Sequence, residues 1–120
     1  MVRELDARDR HVRAHEAAHQ SAGGGLAGGA SFSYETGPDG RQYAVAGEVS
    51  INVSPGKTPE ETIAKAQKVR SAALAPPDPS SQDRAVAAMA TQMEAKARLE
   101  QREVQRLMLE QAVAPRGSIG

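Results

Sequence analysis

The first twenty-two residues, MVRELDARDRHVRAHEAAHQSA, contain neither glycine nor proline, and most of them favour helix. Gly23-Gly24-Gly25 ends that run, because glycine takes the left-handed conformation beyond a helix end without steric cost. With Gly28-Gly29 following, residues 23–30 read as a loop. Ser31-Phe32-Ser33-Tyr34 then alternates, and the alternation returns from Gln42 to Val53. There Tyr43, Val45, Gly47, Val49, Ile51 and Val53 share one face, and Ala44, Ala46, Glu48, Ser50 and Asn52 share the other. Period two predicts strands, and Gly37-Pro38-Asp39-Gly40 between them has the chemistry of a turn, so residues 31–54 should form a hairpin. Thr58-Pro59-Glu60-Glu61 is a helix start, with Thr at the N-cap and Pro at the first helical position, and predicts a helix over 58–75. Pro76-Pro77-Asp78-Pro79 is a stiff connector. Ser80 or Ser81 can then cap a long helix within 79–112, where Val86, Met89, Met93, Val104, Leu107 and Met108 recur at helical spacing and should form a packing face. The pattern predicts one compact α+β domain over 1–113, a helix, a hairpin and two further helices, followed by a flexible tail over 114–120.

Composition narrows what such a domain can be. Of 120 residues, 39% are hydrophobic but only 2% aromatic, and alanine dominates the apolar set. The core should therefore be thin, and a bound metal or partner would add useful stability. Fifteen basic residues balance fifteen acidic ones with no basic stripe, which argues against a nucleic-acid partner. With no cysteine, disulfides and thiolate metal sites are ruled out. No apolar run approaches the roughly 18 residues of a membrane span, and the charged start MVRELDARDR does not read as a signal peptide. A cytoplasmic location is the default expectation.

All three histidines fall within nine residues, and two of them form His15-Glu16-Ala17-Ala18-His19. This is H-E-x-x-H on a predicted helix. Residues i and i+4 lie one above the other, so two imidazoles can meet one tetrahedral ion. The glutamate stands at the edge of that face, within reach of a water but not of the metal. His11, one turn before His15, is expected to be a surface or outer-shell residue. Three ligands in one helical column do not converge, since His11 and His19 lie about 12 Å apart along the axis. No histidine follows His19, so the third ligand must be a carboxylate. Glu35, Asp39, Glu48, Glu60 and Glu61 are the candidates. Glu48 is favoured because its neighbours on the same strand face are small and Gly47 suits a bulge that would aim it; Glu60 and Glu61, on the later helix, are the next choice.

The run VRAHEAAHQSAGG, with SYETGPDGRQYAVAGEVSINVSPGKTPEETIAKAQKVRSAALAPPDPSSQDRAVAA, resembles the SprA-related metalloprotease catalytic domain family of bacteria over about residues 10–98. The resemblance implies a zincin-like zinc peptidase in which His15 and His19 are ligands and Glu16 is the base. Glu48 matches the glutamate of the family's GEVSI strand and is thereby strengthened as a ligand. Two positions depart from the pattern: Asn52 stands where Asp is expected, and Ala17 where a longer polar residue is expected.

The expected activity is that of a zinc-dependent metalloendopeptidase. It would hydrolyse a peptide or protein substrate through a metal-activated water, with Glu16 as general base. Zn²⁺ would be held by His15, His19 and Glu48. Tyr43 is the preferred oxyanion donor, ahead of Tyr34 and His11. The alternative is a non-enzymatic interaction module that docks a protein partner on helices 58–112 and carries a structural or degenerate metal site. Such a site would need a fourth protein ligand, for instance His11 or Asp39.

Overall fold

A computed structural model of the chain describes residues 1–119, with side chains described to residue 112. Helix α1 (Val2–Gly23) leads through a 3₁₀ turn (Gly24–Leu26) into strands β1 (Ala27–Thr36) and β2 (Gln42–Ile51), then helices α2 (Pro59–Ala73) and α3 (Ser81–Ile119). The architecture is a small α+β domain: three helices and a two-stranded antiparallel sheet. The expected tail over 114–120 falls on side chains, and on Gly120, that lie outside the described residues.

The predicted turn is present. Gly37 N–H donates to the Arg41 carbonyl at 2.8 Å and Gly40 N–H to the Gly37 carbonyl at 3.0 Å. Gly40 sits at φ 79°, a conformation that disfavours a side chain. Thr58 caps α2 by accepting the Glu61 N–H at 3.1 Å, and Pro59 opens the helix.

Two expectations about the strands are corrected. Gly28-Gly29 belongs to β1, not to a loop, because the pairing steps from Ala27↔Ile51 to Ala30↔Val49 and absorbs an extra residue on β1. A second irregularity lies on β2, where Ser33↔Ala46 is followed by Tyr34↔Ala44, leaving Val45 as the extra residue. The bulge is therefore at Val45 and not at Gly47. It breaks the alternation, and the adjacent Tyr43 and Ala44 are both buried. The amide of Ala44 turns to α1 and donates to Asp9 at 2.8 Å. This bond, then the Arg13 guanidinium, holds the Asp9 carboxyl below its usual range.

The core is as lean as the composition requires. Ala66, Val69 and Ala90 form its centre, with Leu26, Ile51, Val53, Val86 and Met93 packed around them. Small side chains let α2 and α3 approach closely, so backbone proximity supplies much of the packing. The predicted stripe on α3 is used only in part, and only in its first half. Val86 and Met93 pack on the core, whereas Met89, Val104, Leu107 and Met108 are exposed. For the last three the reason is length: α2 has 15 residues and α3 has 39, so α2 leaves the far end of α3 uncovered. Among the described residues, the last side-chain bond between the two helices is from Gln101 to Glu60, at 3.2 Å.

Candidate metal centre

His15 and His19 lie on the face of α1 turned toward α2 and the start of α3, and His19 is 2% exposed. The Nδ1 of His19 meets the Ala72 carbonyl at 2.8 Å. A carbonyl can only accept, so Nδ1 carries a proton, and in the neutral ring Nε2 presents a lone pair. His19 Nε2 is 3.2 Å from His15 Nε2. Asp83 Oδ2 completes the triangle, 3.1 Å from His15 Nε2 and 3.2 Å from His19 Nε2. His15, His19 and Asp83 thus form a group with one ligand atom each, all mutually within 4.8 Å.

These distances suit a metal. A tetrahedral ion with bonds of about 2.0–2.1 Å separates its ligand atoms by roughly 3.3–3.4 Å. Two imidazole nitrogens and a carboxylate oxygen also make the donor set of a borderline cation such as Zn²⁺.

Asp83 holds its place through the start of α3. Its N–H donates to Ser80 Oγ at 3.0 Å, and the Ser80 N–H donates back to Asp83 Oδ2 at 2.9 Å. This reciprocal capping box satisfies two otherwise open helix-end donors. Burial works against ionisation of Asp83. The hydrogen bonds with Ser80 and the neighbouring His19 and His15 more than offset it and hold the carboxyl below its usual range.

Glu16 is 5% exposed and lies beside the triangle. Burial, the largest influence, raises its carboxyl above the usual range. His15 and His19 pull it down, and Asp83 and Glu48 push it up. Space for Glu16 depends on Gly47, where a Cβ would lie 2.8 Å from Glu16 Cγ and 3.1 Å from its Oε2. His15, Glu16, Asp83, Gly47, Glu48 and Gln82 line one cavity of about 100 Å³, together with Ser80 and the apolar Val49, Ile51, Ala73 and Val86.

Three of the residues expected from sequence meet here: His15, Glu16 and His19. Glu48 lies on the exposed side of β2, at the cavity wall, and is outside the ligand group. The carboxylate that joins the imidazoles is Asp83, which the sequence reading did not consider. Its one local mark is the Ser80-Ser81-Gln82-Asp83 spacing, which puts Asp at the third position of a capped helix but does not point to the imidazoles. Glu60 and Glu61 are engaged elsewhere, by Gln101 and by the Lys57 N–H.

Tyr43 is not brought to the cavity. Its hydroxyl donates to Asp39 Oδ2 at the hairpin turn, and that bond first, then burial, raises its phenol above the usual range. The ring packs so closely on Gly37 that a Cβ there would lie 2.7 Å from Tyr43 Cε2. Asp39 is spent on this contact and on the Arg41 N–H. His11 is exposed and faces Asp78 Oδ2 at 3.2 Å, so it stands apart from the ligand group as expected.

A family profile described as the SprA-related family matches residues 1–115. The chain belongs to the SprA-related family. No curated protein and no solved structure matches it. The match to the SprA-related profile spans all of α1, the hairpin, α2 and most of α3, so the ligand group and Glu16 lie within the shared region. No helix among the described residues of this SprA-related protein is long and apolar enough to cross a membrane.

Proposed function

We propose that this domain is a zinc-dependent peptide hydrolase, with His15, His19 and Asp83 as the metal ligands and Glu16 as the general base. The observation that carries this reading is a three-atom ligand group, His15, His19 and Asp83, two members of which line one small cavity together with the buried Glu16. Three protein ligands leave a coordination position open, which is the pattern of catalytic zinc; structural zinc takes four protein ligands. Among the described residues, neither His11 nor Asp39 joins the group as a fourth. Zn²⁺, when bound, would supply Lewis acidity to polarise a carbonyl and acidify water.

The protein's own groups have separable tasks. Glu16 takes a proton from the attacking water and delivers it to the leaving amine. The Ala72 carbonyl keeps the His19 proton on Nδ1, so that Nε2 remains a donor atom. Ser80 keeps Asp83 Oδ2 aimed at the imidazoles. Gly47 lets β2 close on Glu16 and shield it from bulk water. The cavity is small, so a substrate would insert one side chain at most and run over the surface beside β2. That suits an extended peptide.

The test is Glu16→Gln. Zinc content at one ion per chain should persist, while hydrolysis of an unstructured peptide library falls by roughly 10²- to 10⁴-fold. Loss of both zinc and activity would make Glu16 a ligand and sink the assignment. A wild-type chain that binds zinc but cleaves nothing would favour the interaction-module reading.

A further inference from the structure

The three-histidine run has a member that the proposed site leaves over, His11, and the connector between α2 and α3 carries a charge with no assigned task, Asp78. The two meet. Asp78 Oδ2 is 3.2 Å from His11 Nε2, and its Oδ1 is 3.8 Å from His15 Nδ1. The His11 and His15 rings, one helical turn apart, have centroids separated by 6.5 Å, and the carboxylate reaches both. We propose that Asp78 is a positioning residue: it holds His15 with Nδ1 protonated and Nε2 free for the metal, and His11 holds Asp78.

The proposal rests on the metal reading above. A neutral imidazole has one N–H, and a ligating histidine generally gives it to a carboxylate, a carbonyl or water. His19 gives its N–H to Ala72. For His15 the carboxylate facing Nδ1 is that of Asp78, at 3.8 Å. At 3.8 Å this contact is longer than a hydrogen bond, so it acts through charge on the N–H dipole. The backbone suits the task. Pro76, Pro77 and Pro79 restrict their own φ, and Pro79 also limits the conformation of Asp78 before it. The single run from Ala72 to Asp83 thus provides a carbonyl for His19, a carboxylate for the outer nitrogen of His15, and the third ligand for both rings. Because His11 and Asp78 are 64% and 63% exposed, their pairing adds little to fold stability, and its effect should appear in metal capture.

The test measures zinc affinity by competition with a chromophoric chelator, and the visible absorption of the cobalt-substituted protein. It uses the full chain as wild type, Asp78→Asn, Asp78→Glu and His11→Gln. Asp78→Asn should weaken zinc binding by on the order of 10- to 100-fold and shift the cobalt bands, with the metal-free melting temperature unchanged. His11→Gln should weaken it by roughly 2- to 5-fold, and Asp78→Glu should recover most of the loss. Zinc affinity of Asp78→Asn within about twofold of wild type, with an unchanged cobalt spectrum, would overturn the role of Asp78 and leave the three ligands standing. An equal loss in Asp78→Asn and Asp78→Glu, with a lowered metal-free melting temperature, would make the residue merely structural and also overturn it. A wild-type chain that takes up neither metal would remove the ligand assignment and this proposal together.

Discussion

Two regions of α3, eleven residues apart, each present a carboxylate to a neighbouring helix. Glu94 faces α2, and its side chain is 12% exposed; Asp83 faces α1, at 18%. Both carboxyls are held below their usual range. Their partners differ in kind. Glu94 accepts from Arg70 at 2.7 Å, Arg98 at 2.8 Å and Gln67 at 3.1 Å, so every neighbour brings a hydrogen. Asp83 accepts from Ser80, but its other close neighbours are two imidazole nitrogens, each of which can carry either a proton or a lone pair. The first region is complete with fixed protein donors. The second can be closed by an imidazole N–H or, with both Nε2 atoms unprotonated, by a cation. The kind of neighbour, rather than charge or burial, separates a carboxylate held by donors from a candidate ligand.

The comparison can be broken most directly by exchanging the roles of the two acids. Asp83→Asn should weaken zinc binding by more than about 100-fold, since it would remove the charge of a proposed ligand and not an outer contact. Metal-free melting should change by only a few degrees. Glu94→Gln should do the reverse, leaving zinc affinity within about twofold while loosening α2 from α3. Equal losses of zinc in both variants, read by the same chelator competition, would erase the distinction.

Gly47→Ala probes how tightly the second region is built. Its added methyl meets Glu16 Cγ at 2.8 Å and Phe32 Cδ1 at 3.0 Å. Overpacking of this kind costs about 1–3 kcal/mol, readable in a denaturant titration. Hydrolysis should fall further than stability, because the displaced group is the proposed base. An alanine variant with wild-type stability and activity would show that β2 yields easily there.

The smallest effect separates the regions by pH. Arg70, then Arg98 and Gln67, lower the Glu94 carboxyl to about 2. A carboxylate depressed on folding stabilises above its unfolded value, and that stabilisation is lost as pH falls through the window toward the folded value. For Glu94 the window runs from the ordinary 4.5 down to about 2. Melting temperature should drop across it in wild type and less steeply in Glu94→Gln. Parallel curves for the two proteins would remove the pair from the account of acid stability.

Features carried by short spacings were legible in the sequence. The four-residue step from His15 to His19 put two imidazoles on one helix face, Thr58-Pro59 opened α2, and Gly40 supplied the positive φ of the turn. Each depends on backbone geometry within a few residues, so composition and order suffice. The strand faces were less legible, because the extra residue at Val45 changes which side chains turn inward, and bulges leave only weak local marks.

Which acid meets the imidazoles was decided by tertiary structure alone. Glu48, Glu60, Glu61 and Asp83 all lie on well-formed elements. His15 and Asp83 meet across a separation of 68 residues, through the packing of α2 on α3 and the course of the proline-bound connector. Tyr43 was lost to the site in the same way, since Asp39 at the turn captured its hydroxyl. Local sequence sets what a side chain can donate or accept. Its partner depends on how the helices and the sheet come together around a core made largely of alanine.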